Sequence, residues 1–241
     1  MNQPLGSFVI AIDGPAGTGK STVARRVAQA LAAGYLDTGA MYRIVTLAVL
    51  DAGLDPDDDA AVANLLPGLT FDSPINAGRQ QHRLGDRDVS TEIRGERVTL
   101  AVTPVSANPA VRGYLLDRQR DLARSGRMVV EGRDIGTVVV PEAVLKIYLT
   151  ADAAERARRR YRQNVGVRAT AGLPAPVESA DAAADLAAVA LDLDRRDSRD
   201  SSRTHAPLQA AADAVVIDSS ELAVEETVAS VLALARQRGV R

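Results

Sequence analysis

The segment Gly14-Pro15-Ala16-Gly17-Thr18-Gly19-Lys20-Ser21 satisfies the pattern G-x-x-x-x-G-K-[ST] at each required position, and it restricts the fold more than any other stretch of the chain. Such a loop works only between a strand and a helix. Phe8-Val9-Ile10-Ala11-Ile12, just before it, is an apolar run suited to a buried strand. Ser21 to Ala33, just after it, has helical periodicity, with Val23, Val27, Ala30 and Leu31 on one side. The glycines let backbone N–H groups turn inward around a phosphate, and the helix presents its positive end to the same anion. In this pattern Lys20 reaches the β- and γ-phosphates of a nucleotide and the Ser21 hydroxyl ligates Mg²⁺. Of 29 basic residues only Lys20 and Lys146 are lysines. A compact ammonium is thus kept inside the loop, where a planar guanidinium fits poorly.

The rest of the chain reads as alternating strands and helices. Tyr35-Leu36-Asp37, Met128-Val129-Val130, Val144 to Leu149 and Ala214 to Asp218 are further strand candidates. Ala40 to Ala52, Thr91 to Val102, Ala110 to Arg124, Ala154 to Asn164, Asp181 to Arg199 and Ala223 to Arg238 read as helices. Five strands alternating with helices imply a parallel sheet with right-handed crossovers, whose ligands bind at the carboxyl ends of the strands. Between Leu69 and Ser90 the pattern changes to short strands (Leu69-Thr70-Phe71, His82-Arg83-Leu84, Asp88-Val89-Ser90) with a turn at Gly85-Asp86, which predicts a small antiparallel insert. Arg168 to Ala180 is rich in Ala and Pro and reads as a mobile loop. The fold class is therefore α/β, and there is no internal repeat.

Composition excludes several functions. The net charge of −2 argues against a general binder of nucleic-acid polymers or membrane surfaces. Aromatic residues are only 3%, too few for a base-stacking platform. With no cysteine, disulfides, thiolate catalysis and Cys-based zinc sites are out; with only His82 and His205, a His-rich metal site is too. Met1 to Ser7 has no apolar signal-peptide core, and no apolar run is long enough for a membrane span. These absences lead to the expectation of a cytoplasmic protein, and a monomer is expected because no extended apolar patch or heptad run is visible.

Three more clusters could carry chemistry. Asp37-Thr38-Gly39-Ala40-Met41-Tyr42-Arg43 follows the second strand and opens a helix, so Thr38 can cap it and Arg43 projects one turn later. Glu131-Gly132-Arg133-Asp134-Ile135-Gly136 follows an apolar strand, placing charge in the same crevice as the phosphate loop, where Arg133 suits bidentate phosphate binding. Arg156, Arg158, Arg159, Arg160, Arg162 and Arg168 precede the Ala/Pro-rich segment, and Arg195, Arg196, Arg199 and Arg203 follow it. Arginines on both sides of a hinge suit a lid closing over phosphates. The bland alternative is a solvated face paired with Asp192, Asp194, Asp197 and Asp200. His82, His205 and the Val215-Val216-Ile217-Asp218 run suggest no metal chemistry.

Together these segments resemble the bacterial cytidylate (CMP) kinases, nucleoside-monophosphate kinases of the P-loop class. The match runs from about Val9 to the last helix and rests on Ile12 to Thr22, Leu36 to Arg43, Asp88 to Arg94, Val111-Arg112 with Arg118-Gln119-Arg120, and Glu131 to Val139. The resemblance implies a three-layer P-loop kinase fold, with a CMP-binding insert at residues 69–98, an Arg-rich helical lid at 156–203, and a core of 1–68, 99–155 and 204–241. It implies transfer of a phosphoryl group from ATP, with Mg²⁺, to CMP or dCMP. Gly14, Pro15, Ala16, Gly17, Thr18, Gly19, Lys20, Ser21 and Thr22 would bind ATP. Arg43 and Arg133 would hold the CMP phosphate, and Thr103, Arg112 and Asp134 would read the cytosine edge. Thr38 would lie against the nucleotide, Arg196 and Asp200 at the ribose hydroxyls, and Arg203 at the phosphate end. Arg159 and Arg160 would reach from the lid toward ATP, acting in catalysis with Lys20 and Arg133. Cytosine offers an amino donor and two acceptors, so a carboxylate, an Arg and a hydroxyl complement it; Asp134 would disfavour uracil, which has a carbonyl there. Two features depart from the family pattern: Thr103 replaces an expected Ser, and the lid is longer.

Rivals remain at this level. A kinase for UMP, AMP or shikimate would share the loop but not the Arg112–Asp134 pair. A GTP-dependent switch would need an Asn-Lys-x-Asp motif, which a chain with lysine only at 20 and 146 lacks. A non-catalytic nucleotide-binding module would bind ATP without acceptor-dependent turnover.

Overall fold

Strand β1 (Phe8–Asp13) is buried along its whole length, which is why its sequence is apolar at successive rather than alternate positions. Its side chains divide between two cores. Val9 and Ala11 join Leu36, Val45, Leu115 and Val130 on one face of the sheet, while Ile10 and Ile12 join Val23, Val27, Leu149 and Val231 on the other. The computed structural model describes residues 6–170, 180–204 and 206–241, of which 167–170 and 180–183 by their backbone alone.

Helix α1 (Lys20–Ala30), strand β2 (Gly34–Asp37), helix α2 (Thr38–Asp51) and helix α3 (Asp59–Leu65) follow β1. Strands β3 (Phe71–Asp72), β4 (Arg83–Leu84) and β5 (Arg87–Asp88) form the small antiparallel sheet. Helices α4 (Glu96–Ala107) and α5 (Pro109–Ala123) lead to β6 (Arg127–Glu131) and β7 (Leu145–Thr150). Helices α6 (Ala153–Thr170) and α7 (Ala180–Ser201), strand β8 (Val215–Asp218) and helix α8 (Val224–Gln237) complete the chain. The main sheet is five-stranded, in the order β2-β6-β1-β7-β8, and every pair is parallel. The chain leaves β1 for one edge and later returns to fill the gap with β6. The ends of β1 and β6 therefore meet where the winding reverses, the usual ligand crevice of such sheets.

The expected parallel sheet, antiparallel insert and flanking helices are all present. Four details differ. Thr91 to Val102 is not one helix: a short 3-10 turn at Glu92–Arg94 stops at Gly95, whose extended backbone starts α4. Helix α3 and a π-helical turn at Ile135–Val139 fall where no helix is expected. Helix α6 continues from its expected start through Gly166 to Thr170, into the segment expected as a loop from Arg168, because α6 packs on α7. Of the segment expected to be a mobile loop, residues 171–179 lie outside the described residues, as does His205. Among the described residues no helix is long and apolar enough to cross a membrane.

The insert is held to the sheet by a core of its own. Val89, Ile93 and Val98 pack on Ala40, Ile44 and Leu47 of α2. Arg118 of α5 lies over the rings of both Phe71 and Tyr114, 4.9 and 5.0 Å from their centroids.

Candidate active site

The phosphate loop leaves β1 under tight constraint. At Gly14, with φ of 144°, an added Cβ would sit 2.0 Å from the Leu149 carbonyl oxygen. At Gly17, with φ of 80°, it would sit 2.8 Å from the Arg156 carbonyl oxygen. Only glycine fits either place. Lys20 opens α1, and its Nζ donates to the Pro15 carbonyl at 2.6 Å, folded back across the loop. Burial, and then the neighbouring Arg133, push the Lys20 ammonium well below its ordinary pKa. Burial and Asp37 push Glu131 upward; the Tyr35 hydroxyl donates to it at 2.5 Å, and Ser21 also bonds to it.

This loop forms one end of a cavity of about 670 Å³ at the carboxyl ends of β1, β2 and β6. Ten basic and five acidic side chains line the cavity, although the whole chain carries a net −2. The cations crowd one another. Arg43 is pushed down to about 9 by burial and then by Arg196 and Arg160. Arg160 is pushed down to about 10 by burial and then by Arg196. Arg196 is lowered by burial and then by Arg133. Arg43 and Arg160 stay protonated near neutral pH, so the cavity gathers buried, mutually repelling guanidiniums. A polyanion would relieve that repulsion.

The opposite end is a network of charge pairs. Arg112 of α5 pairs with Asp134, both nearly buried, and its Nη1 donates to the Ser106 carbonyl at 3.3 Å. Asp200 of α7 bridges two guanidiniums, Arg133 Nε at 3.1 Å and Arg203 Nη2 at 2.6 Å. Arg203 Nη2 also donates to the Ser106 hydroxyl at 3.0 Å. Thr103 is buried at the wall. Arg133 Nη1 donates to the Gly14 carbonyl at 2.5 Å, tying this end to the phosphate loop. Arg43 is anchored by the Ile93 carbonyl at 2.9 Å and the Thr99 hydroxyl at 3.0 Å.

The structure thus gathers Thr38, Arg43, Thr103, Arg112, Arg133, Asp134, Arg159, Arg160, Arg196, Asp200 and Arg203 around one cavity with Ala16 to Thr22. Gly14 and Pro15 stand behind the wall, serving as carbonyl acceptors for Arg133 and Lys20. One local expectation changes. Asp37, not Thr38, caps α2, accepting from Ala40 N at 2.9 Å; Thr38 instead donates to the Glu131 carbonyl at 2.7 Å. The Arg-rich run divides: Arg158 and Arg162 are exposed beside Glu155, while Arg156 and Arg159 are held against the phosphate loop and its neighbours. Arg159 bonds to the Thr18 carbonyl and to Ser219, and Arg156 pairs with Asp197, which itself accepts from Ala16 N at 3.1 Å. His82 is buried against Ser73, away from the cavity.

Some site residues had no assigned role in the sequence. Arg94 lines the cavity while held by Asp37 at 3.0 Å, Ser106 links Arg112 to Arg203, and Asp13 bonds to the turn after β6. Asp13 and Arg94 lie inside motif segments, which was their only signal. Nothing local marks Ser106.

A family model for cytidylate kinases matches residues 10–237. A cytidylate kinase of Mycolicibacterium paratuberculosis is 51% identical over 231 residues, covering 95% of this chain and 96% of the relative. One from Nocardia farcinica is 50% identical over 222 residues, covering 92% and 90%. One from Corynebacterium diphtheriae is 43% identical over 240 residues, covering 99% of each.

Proposed function

The chain belongs to the cytidylate kinase family, a family of ATP-dependent CMP kinases, and from that premise we propose how its cavity performs the transfer. ATP lies with its phosphates in the Ala16–Thr22 loop, and CMP lies with its base at Arg112 and Asp134. An oxygen of the CMP phosphate attacks the γ-phosphorus; the bond to the β–γ bridging oxygen breaks, and ADP leaves. The nucleophile is already anionic, so no side chain need remove a proton. The work is positioning and neutralisation. Lys20 follows the transferring group, Arg43 and Arg133 hold the CMP phosphate, and Arg159 and Arg160 meet ATP from α6.

The observation that carries this reading is the buried Arg112–Asp134 pair set at one end of a cation-lined cavity whose other end is a phosphate loop. Asp134 accepts from the cytosine amino group, and Arg112 and Thr103 donate to its acceptors. Asp200 and Arg196 face the ribose; because the base contacts do not involve the 2′-hydroxyl, dCMP is a substrate too. Ser21 opens onto the cavity with its hydroxyl at Glu131. Such oxygen donors suit a hard cation, and Mg²⁺ carried on the ATP phosphates would take Ser21 as its protein ligand and supply charge neutralisation. Residues 69–98 act as the CMP-binding insert and 156–203 as the lid on the core of 1–68, 99–155 and 204–241. The protein works as a cytoplasmic monomer on small nucleotides, with neither nucleic-acid polymers nor membranes as partners.

The test is ADP release from ATP and Mg²⁺ against CMP, dCMP, UMP, AMP, GMP and shikimate. Turnover confined mainly to CMP and dCMP is expected. Preference for another acceptor would refute the cytosine pocket. ATP binding with no acceptor-dependent turnover would leave only a binding module.

A further inference from the structure

We infer that Asp13 is a positioning residue for the acceptor end: from the tip of β1 it caps the turn after β6 and so frees the Asp134 carboxylate to face the cavity. This inference rests on the role proposed above for Asp134.

A residue at the start of a helical turn normally satisfies the first free N–H groups with its own side chain, and Asp is among those best suited to it. Asp134 occupies that place before the Ile135–Val139 turn, yet its side chain makes no capping bond. Its carboxylate is turned to Arg112 instead. The free N–H groups go to a residue more than a hundred positions earlier. Ile135 N donates to Asp13 Oδ1 at 2.8 Å and Gly136 N donates to Asp13 Oδ2 at 2.7 Å. Asp13 is 5% exposed and does not line the cavity, so it acts through the turn rather than on a ligand.

Its neighbours complete the clamp. Gly132 N donates to the Ile12 carbonyl at 3.1 Å, and Arg133 Nη1 donates to the Gly14 carbonyl at 2.5 Å. Residues 12, 13 and 14 thereby hold the chain on both sides of Asp134. Buried N–H groups do not go without an acceptor cheaply. If Asp13 could not accept, the nearest substitute would be the carboxylate of Asp134. Taking it would withdraw Asp134 from Arg112 and from the cavity.

The test is a double-mutant cycle on Asp13→Asn and Asp134→Asn. Asp13→Asn keeps the shape but turns an amide NH₂ toward one of the two N–H groups. KM and kcat are measured for CMP and UMP, with ATP affinity by calorimetry. For Asp13→Asn the KM for CMP is expected to rise about tenfold, with a fall in CMP over UMP preference, while ATP affinity holds within about twofold. The double variant should discriminate no worse than Asp134→Asn alone, since both changes remove one function. An unchanged KM for CMP, a joint loss of ATP and CMP binding, or additive effects on discrimination would overturn the inference. If Asp13→Asn does not fold, Asp13→Glu, which keeps the charge but misplaces its oxygens, enters the same cycle with the same expected outcome. If the wild type prefers another acceptor, the cytosine reading fails by itself, and the Asp13–Asp134 coupling is measured on that acceptor.

Discussion

At the Gly14–Thr22 end the cavity is built on one short loop, turned at Gly14, Gly17 and Gly19, with Arg159 and Arg160 of α6 reaching in beside it. At the Asp134 end they are side chains from α2, α4, α5, α7 and the turn after β6. In the proposed function the first end is indifferent to what accepts the phosphoryl group, because a phosphate loop reads only anionic oxygen. The second can choose, because carboxylates and guanidiniums at fixed places distinguish donors from acceptors. The difference also sets fragility. The loop depends on a few glycines and one lysine, whereas each charge of the network is buried and depends on its partner.

Lys20→Met should give the largest effect, since Lys20 is the one side-chain cation of the loop. Single-turnover kinetics should show phosphoryl transfer slowed by about a thousandfold. Residual turnover should keep its acceptor preference. A changed preference would break the division of labour between the two ends.

Arg112→Met leaves Asp134 buried without its partner. The kcat/KM for CMP should fall about a hundredfold, in line with removing one member of a buried, hydrogen-bonded charge pair. The KM for ATP should stay nearly fixed in the same assay. An equal rise in both would mean that the ends are not separable.

A smaller, pH-dependent effect belongs to Asp13, which stands between them. Burial raises its pKa from 3.8 to about 6, against the pull of the Gly136 and Ile135 N–H groups. A carboxyl raised in the folded state contributes stability that is fully present below its unfolded pKa and lost as pH rises through the folded value. Melting temperatures of wild type and Asp13→Asn, followed from about pH 4 to about pH 7, should therefore shift in favour of the variant by several degrees. A pH-independent difference would mean that Asp13 titrates normally.

The two ends also differed in how far the sequence revealed them. The loop is contiguous, and strand, turn and helix around it follow from local pattern alone. The sheet was legible for the same reason: Phe8–Asp13 and Leu145–Thr150 are apolar runs because both their faces are buried. The acceptor end has no local signature. Arg112 and Asp134 are 22 residues apart, and Arg133 and Asp200 come from different elements. Only resemblance to a known family placed them together. Asp13 escaped because its partners lie 122 and 123 residues away, and because nothing local marks a helical turn after Asp134. Helix α6 runs on into the segment expected as a loop because packing on α7 outweighs the cost of Gly166.

The measurement that bears most directly on the acceptor end is the ratio of kcat/KM for CMP to that for UMP, in wild type and in Asp134→Asn. Wild type should favour CMP strongly. In the variant the ratio should collapse while the KM for ATP is unchanged, because the amide can turn its NH₂ toward the uracil carbonyl. A ratio that survives the substitution would contradict the account and place base selection elsewhere in the cavity.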